Sequence, residues 1–197
     1  MVDVLLFHHA QGLTDGVRAF ADDLRAAGHF VTVPDLYDGK TFDTLDEGLD
    51  YLRQVSFGQI RERGLKAAIG LPTDIVYAGF SLGAMPAQEL AQTRPGARGA
   101  LLFYSAVPAS EFDAPWPHAV PLQIHGMDAD PIFVDEGDLA AARELVQMAD
   151  EAELFLYPGD QHLFADRSLP DYDEAAATLL TQRVLEFLSR VQIREVG

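Results

Sequence analysis

The chain has 197 residues, no cysteine and an ordinary globular composition, with 48% hydrophobic and 23% charged residues; the missing thiols exclude disulfides, zinc–thiolate sites, iron–sulfur clusters and a cysteine nucleophile. Its formal net charge of −17 at pH 7 repels phosphates and anionic lipid surfaces, so we expect neither nucleic acid nor a membrane as partner. No apolar run approaches the roughly 20 residues of a membrane span, and the N-terminus has no signal-peptide pattern, which predicts a cytoplasmic protein with a single domain over residues 1–197.

The first half of the chain alternates short apolar runs with amphipathic stretches. Thr14 suits the N-cap of the first helical stretch, and Gly28 suits the position just after its end. Thr44 and Glu47 have the spacing of a capping box that opens a further helix. The elements predicted for this half are strands at residues 4–7 and 30–33, and helices at residues 14–27, from residue 44, and at residues 59–69.

The second half continues the alternation and ends in a long helix. Strands that alternate with helices form parallel pairs, so the pattern predicts a mostly parallel, doubly wound sheet with helices on both faces. Such sheets bind ligands at the carboxyl ends of their strands. The elements predicted for this half are strands at residues 74–78, 100–104, 121–125 and 153–157, and helices at residues 83–92, 139–148 and 174–191. The side chains that follow the strands are His8, His9, Asp35, Ser81, Ser105, Asp128, Asp130, Gly159 and His162.

One segment departs from this alternation. Residues 105–119 contain Pro108, Pro115 and Pro117 and show no helical period. We predict a surface excursion between two strands. It is too short for a cap domain, so we expect an open site beneath it.

The sharpest chemical signal is the sequence Gly79-Phe80-Ser81-Leu82-Gly83, which follows a predicted strand and opens a predicted helix. A G-x-S-x-G sequence in this setting forms a sharp turn that exposes the serine hydroxyl as a nucleophile. The flanking glycines remove the Cβ atoms that would collide in such a turn. The Leu82 amide would then face a developing oxyanion at the start of the helix.

A serine nucleophile needs a base, and the base needs an orienting acid. His162 follows the last predicted strand, whereas Asp128 and Asp130 both follow the strand before it. The resulting chain order of serine, aspartate and histidine is that of the α/β-hydrolases. Either aspartate could serve as the acid, and the Asp130-Pro131 pair favours Asp130.

The chain resembles the dienelactone hydrolase family. The resemblance rests on four sets of residues: the loop His8-His9-Ala10-Gln11-Gly12-Leu13; the segments Gly28-His29 and Pro34-Asp35-Leu36-Tyr37; the serine elbow; and Asp130-Pro131 with Val134 and His162-Leu163-Phe164. It implies a three-layer α/β-hydrolase fold with a mostly parallel doubly wound sheet and no cap domain. It also implies hydrolysis of a small carboxylic ester or lactone by Ser81, His162 and Asp130, with an oxyanion hole from the amides of Ala10 and Leu82.

The sequence departs from the family pattern at four functional positions. In the acid segment, the family's Gly-x-x-Asp spacing counted from Gly126 reaches Ala129, so the match at Asp130 implies a one-residue insertion. Ser81 stands where the namesake enzymes use cysteine, and His9 stands where their first-strand loop has an acidic residue. The namesake enzymes have an arginine four residues after the catalytic histidine, which holds a substrate carboxylate. Asp166 stands at that position here. A carboxylate facing an aspartate would be repelled, so the dienelactone substrate itself is not expected.

The remaining candidates concern substrate, cofactor and assembly. We expect His9, Tyr37, Trp116 and Phe164 to line the substrate site. Neighbouring strand residues point to opposite faces, which disfavours a metal site at His8 and His9, and no nucleotide-binding glycine motif is present, so no cofactor is expected. We expect a monomer or small homo-oligomer. The alternative hypothesis is a catalytically decayed member that acts as a ligand-binding or regulatory module.

Overall fold

The computed structural model describes residues 1–193. Its centre is a sheet of six strands, all paired in parallel, in the order β2-β1-β3-β4-β5-β6. The strands are β1 (Asp3–Phe7), β2 (Phe30–Thr32), β3 (Val76–Phe80), β4 (Gly99–Phe103), β5 (Leu122–Met127) and β6 (Ala152–Tyr157). The predicted mostly parallel sheet is confirmed, and every named pair is in fact parallel.

Helices cover both faces of the sheet, which gives the expected three-layer α/β-hydrolase architecture. They are α1 (Asp15–Ala26), α2 (Leu45–Val55), α3 (Phe57–Ala67), α4 (Ala84–Thr93), α5 (Pro131–Asp135), α6 (Asp138–Met148) and α7 (Glu174–Ile193). One buried core joins α1 and α7 to the sheet, and a second core on the opposite face joins α3, α4 and α6 to it. Residues 1–193 contain no separate cap domain above the sheet.

Successive side chains along a strand belong alternately to these two cores. In β1, Val4 and Leu6 belong to the core under α1 and α7, whereas Leu5 and Phe7 belong to the opposite core. This is the consequence of successive strand side chains pointing to opposite faces. A strand segment buried on both faces must be apolar, which is why residues 4–7 of β1 form a continuous apolar run after the exposed Asp3.

The order of the strands places a crevice beside β1. The chain leaves β1 towards β2 on one side, and the next strand added, β3, lies on the other side of β1. The loops after β1 and β3 therefore diverge at a topological switch point, where doubly wound sheets bind their ligands. The carboxyl ends of β1 and β3 carry the His8–Leu13 loop and the serine elbow, respectively.

The differences from the sequence predictions are local. β3 ends at Phe80 rather than residue 78, because Gly79 pairs with Phe7 and Phe80 pairs with Phe103. β5 likewise extends to Met127. The pattern does not predict the short helix α5 or the two 3₁₀ turns, which lie at Ser81–Gly83 in the serine elbow and at Ala109–Phe112 in the proline-rich excursion. Within residues 1–193, no helix is both long enough and apolar enough to cross a membrane.

Candidate active site

The serine elbow lies at the carboxyl end of β3. Ser81 has φ of 49°, a left-handed backbone that is unusual for a non-glycine residue. A Cβ on Gly79 would come within 2.0 Å of the Gly83 carbonyl oxygen, and one on Gly83 would come within 2.6 Å of the His8 carbonyl oxygen. Both glycines are therefore required by close backbone approaches. The second approach also packs the elbow against the end of β1.

The Ser81 hydroxyl belongs to a continuous hydrogen-bonded chain. Its Oγ lies 2.8 Å from Nε2 of His162, and Nδ1 of His162 lies 2.6 Å from Oδ2 of Asp130. Asp130 can only accept when ionised, so the Nδ1–H of His162 donates to it. Nε2 is then free to accept the Ser81 proton. His162 and Asp130 are buried, while Ser81 is partly exposed.

Asp130 has two structural tasks at once. Its Oδ2 faces His162, and its Oδ1 accepts the Ile132 amide at 3.0 Å, so the same carboxylate caps the N-terminus of α5. Pro131 occupies the first turn of α5, where a missing N–H costs nothing. Asp128 is exposed, and its Oδ1 accepts the Gly159 amide at 3.2 Å. Of the two candidate acids, Asp130 is the one in contact with His162.

The segment that carries His162 rests on buried aromatic rings. Tyr104, at the end of β4, accepts the Ala165 amide on its hydroxyl at 3.1 Å. Its ring centroid lies 5.8 Å from that of His162 and 5.0 Å from that of Phe164. Burial raises the pKa of Tyr104 well above its ordinary value, so the phenol stays neutral. These contacts fix the height of His162 above the sheet.

The loop after β1 makes a tight turn beside the elbow. The Gly12 amide donates to the His9 carbonyl at 3.0 Å, and Nδ1–H of His8 donates to the same carbonyl at 2.8 Å. The Gln11 amide donates to Nδ1 of His9 at 3.2 Å. Ala10, at the crest of this turn, is predicted to supply an oxyanion-hole amide, and that prediction stays open.

His9 and Asp166 form a buried pair. Nε2–H of His9 donates to Oδ2 of Asp166 at 2.8 Å, and the two side chains are 1% and 4% exposed. Asp166 also accepts the Thr14 hydroxyl and both the amide and the hydroxyl of Ser168. Burial alone would raise the pKa of Asp166, but the hydrogen bonds from His9, Ser168 and Thr14 outweigh it and hold the pKa at about 2.

Comparison with known proteins decides the family. The sequence model of the dienelactone hydrolase family matches residues 2–192. The chain belongs to the dienelactone hydrolase family. A search of curated proteins finds no match.

Solved structures of similar fold include other members and relatives of this family. A dienelactone hydrolase-like promiscuous phosphotriesterase from metagenomic libraries is 20% identical with a TM-score of 0.76, over 97% of this chain and 87% of that one. A dienelactone hydrolase from Anabaena variabilis is 18% identical with a TM-score of 0.67, over 96% and 86% of the two chains. Esterase 2 of Thermogutta terrifontis, phosphorylated by paraoxon, is 17% identical with a TM-score of 0.66, over 96% and 82%.

The predicted substrate wall of this dienelactone hydrolase family member needs correction. Trp116 is 1% exposed, and its indole N–H donates to the Val120 carbonyl at 2.9 Å, so it is a core residue of the excursion. Tyr37 is 0% exposed and packs against the rings of His8 and Tyr51. Phe164 is 0% exposed and packs against the rings of Tyr104 and Tyr157. His9 is 1% exposed, and its two ring nitrogens contact Gln11 and Asp166. These residues were expected at the site from their type and their position in the chain, and neither feature shows whether a side chain is enclosed.

Two residues that contribute to the site, Tyr104 and Asp138, have no signal in the sequence pattern. Tyr104 supports the His162 segment, and its left-handed φ of 67° at a strand end leaves no sequence signature. Asp138 accepts the Ser105 hydroxyl and the Ala106 amide, at 3.0 Å for the amide. Burial raises the pKa of Asp138, and these hydrogen bonds only partly offset the rise. Its position predicts Ser105 as a strand-end residue, whereas the contact with Asp138, 33 positions away, has no sequence signal.

Proposed function

We propose that this protein is a serine hydrolase that cleaves a small carboxylic ester or lactone through an acyl-enzyme. The observation that carries the proposal is the hydrogen-bonded chain from Ser81 through His162 to Asp130, at the carboxyl ends of three parallel strands. Membership of the dienelactone hydrolase family supports hydrolase chemistry. The contacts within this chain of side chains favour an active enzyme over the decayed binding module.

The mechanism uses one proton carrier and two oxyanion donors. Nε2 of His162 accepts the proton of Ser81 as Oγ forms a bond to the substrate carbonyl carbon. The Nδ1–H bond to Asp130 holds the required tautomer and stabilises the imidazolium that results. We assign the amides of Leu82 and Ala10 to the oxyanion, because preorganised donors at this point supply a large part of the rate enhancement.

The two halves of the reaction balance on His162. The bond between the carbonyl carbon and the alkoxide oxygen then breaks, and the imidazolium gives its proton to the leaving alkoxide. This step leaves an acyl group on Ser81. His162 then takes a proton from water, whose oxygen attacks the acyl carbon. The acid departs and Ser81 Oγ regains the proton. For a lactone, the leaving alkoxide stays attached to the acyl chain until water releases the hydroxy acid.

The electrostatics favour a neutral substrate. The net charge of −17 repels anions over the whole surface. Asp166 replaces the arginine that the family resemblance implies for holding a substrate carboxylate, and its low pKa keeps it ionised. We therefore propose a small uncharged ester or lactone as the partner, rather than a nucleic acid or a membrane surface.

The test is covalent labelling of Ser81. Esterase 2 of Thermogutta terrifontis is phosphorylated by paraoxon, which makes paraoxon a suitable probe alongside a fluorophosphonate. Intact-mass analysis should show a single adduct at Ser81 in the wild type and none in Ser81→Ala. Turnover of short acyl esters should be lost in the same variant. Folded wild-type protein that takes up no adduct and hydrolyses no ester or lactone would overturn the proposal.

A further inference from the structure

A buried contact joins the two loops that the proposed mechanism needs to hold in register. His9 belongs to the turn after β1 that carries Ala10, and Asp166 belongs to the segment that carries His162. Their side chains meet at 2.8 Å although they are 157 positions apart in the chain. Both are almost completely enclosed, so neither can bind a substrate directly.

The hydrogen bonds around the imidazole define its tautomer. Asp166 accepts at Nε2, so that nitrogen carries the hydrogen, and the Gln11 amide donates to Nδ1, so that nitrogen carries none. His9 therefore acts as an acceptor for the amide two residues later. Asparagine and aspartate side chains make the same contact in Asx turns.

The acceptor contact shapes the turn at Ala10. The Gln11 amide is held by the imidazole, and the Gly12 amide is held by the His9 carbonyl. These two hydrogen bonds fix the backbone on the C-terminal side of Ala10. Within residues 1–193, the Ala10 amide itself makes no hydrogen bond. A buried backbone N–H without a protein partner needs another acceptor, and in the proposed reaction that acceptor is the substrate oxyanion.

Asp166 is itself immobilised by α1. A Cβ on Gly16 would lie 1.6 Å from the Asp166 carboxylate, so the acid occupies the space beside the first turn of that helix. The Thr14 hydroxyl donates to the carboxylate, and the Gly16 amide donates to the Ser168 hydroxyl at 3.1 Å. The carboxylate thus orients His9 from a rigid base.

We infer that His9 and Asp166 are positioning residues that hold the Ala10 amide in the oxyanion hole. Asp166 fixes the tautomer and tilt of the His9 ring, and the ring in turn fixes the Gln11 amide and the Ala10 peptide. The inference rests on the proposed function, because it concerns the transition state of that reaction. It also explains how a family member works with histidine and aspartate at these two positions.

Two substitutions at His9 separate the two halves of its role. The Oδ1 of an asparagine can reach the position of Nδ1, so His9→Asn keeps an acceptor for Gln11 and gives up the contact with Asp166. The amide of a glutamine can reach the position of Nε2, so His9→Gln keeps the contact with Asp166 and gives up the acceptor. His118→Gln, at an exposed histidine, is the matched control.

The expected result is a loss of kcat with little change of KM. An oxyanion donor contributes about 10²–10³ in kcat, so a displaced donor in His9→Gln should cost at least about tenfold. His9→Asn should retain clearly more kcat than His9→Gln, and His118→Gln should match the wild type. Equal losses in the two His9 variants, or wild-type kcat in His9→Gln, would overturn the inference.

A measurement on the wild type keeps the test independent of folding and of activity. Long-range ¹H–¹⁵N NMR should show His9 as the neutral Nε2–H tautomer, and an Nδ1–H tautomer would contradict the inferred contact. Paraoxon labelling of the wild type distinguishes the two possible failures. If Ser81 is labelled but His9→Gln reacts at the wild-type rate, only the positioning role fails. If wild-type Ser81 is never labelled and no ester is turned over, the proposed function fails.

Discussion

Ser81 holds a strained backbone at the point where the hydroxyl must project from the sheet. A φ of 49° costs a non-glycine residue about 1–3 kcal/mol. The strain is compensated by the surrounding packing, in which Gly79 and Gly83 let β3, the elbow and α4 approach closely. The backbone at Ser81 is therefore strained, unlike that of an ordinary strand-to-helix turn, and the surrounding packing holds it in this conformation.

This strain can be measured with two inactive variants. Ser81→Gly adopts the left-handed conformation without a Cβ penalty, whereas Ser81→Ala retains the penalty. We expect Ser81→Gly to have a higher free energy of unfolding than Ser81→Ala by about 1 kcal/mol in urea denaturation. Equal stabilities would show that the elbow is unstrained. Both variants should lack ester hydrolysis, so activity serves as the internal control.

The serine elbow could be predicted from the sequence, whereas the contact between His9 and Asp166 could not. The G-x-S-x-G string, its strand and its helix could be predicted because they are local. His9 and Asp166 each looked like an isolated departure from the family pattern, yet they are in contact with each other. Nothing in a single sequence relates residues separated by 157 positions, so the contact between His9 and Asp166 could not be predicted.

At the scale of elements, α4 does more than follow the nucleophile. Its buried side chains Gln88 and Gln92 bind the backbone of the excursion. Gln88 donates to the Val107 carbonyl at 2.7 Å and accepts the Val107 amide at 3.0 Å, and Gln92 donates to the carbonyls of Ala109 and Ala114. The excursion is therefore anchored along most of its length despite having little secondary structure.

Removal of the first anchor should loosen the excursion. Gln88→Leu leaves the Val107 amide and carbonyl without partners, which should lower the free energy of unfolding by about 1–3 kcal/mol. Hydrogen exchange measured by mass spectrometry should speed up in residues 105–114 and stay unchanged in β1 and β3. Gln54→Leu, at an exposed position on α2, is the matched control. Uniform acceleration across the chain would contradict local anchoring.

The elements themselves were largely predictable, and their boundaries were not. Apolar runs located the six strands of residues 1–193. The signal was strongest for β3 and β4, which are buried along their whole length and therefore carry continuous apolar runs. Strand ends depend on partners: β3 continues through Gly79 and Phe80 because β1 and β4 offer ladder positions there. The helix α5 has five residues and begins at a proline, so it carries no periodic signal.

Two buried histidines affect the whole molecule when the pH changes. Burial lowers the pKa of His8 to about 4 and that of His125 to about 3, the latter with help from the positive charge of Arg183. In the unfolded chain an imidazole titrates near 6.5. Between these values the unfolded state binds more protons than the folded state. The free energy of unfolding therefore falls as the pH falls below about 6.5.

This linkage predicts a measurable slope. Each buried histidine should contribute up to about 1.4 kcal/mol per pH unit to the loss of stability between pH 6.5 and 5. His125→Asn should be less stable at neutral pH, yet its stability should fall less steeply with pH than that of the wild type. His118→Gln should keep the wild-type slope. Identical slopes for His125→Asn and wild type in urea titrations would contradict the linkage.

The net charge of −17 sets a second property of the whole molecule. A neutral short-chain ester should have a kcat/KM at least about tenfold higher than the same ester bearing a carboxylate on its acyl chain, because the protein field repels anions. The difference in kcat/KM between the two esters should decrease as salt shortens the screening length from about 30 Å at 0.01 M to about 10 Å at 0.1 M. A difference in kcat/KM that does not change with ionic strength would indicate that the shape of the substrate, not its charge, causes the preference.

The contact between His9 and Asp166 also orders events during synthesis. The two residues are separated by 157 positions, and at about 5–20 residues per second the ribosome needs roughly 8–30 seconds to add them all. A nascent chain that has already formed β1 and the serine elbow still lacks the base, the acid and the support for the Ala10 turn. Hydrolytic competence should therefore appear only after residue 166 has been synthesised, and products of premature termination before residue 162 should be inert towards esters.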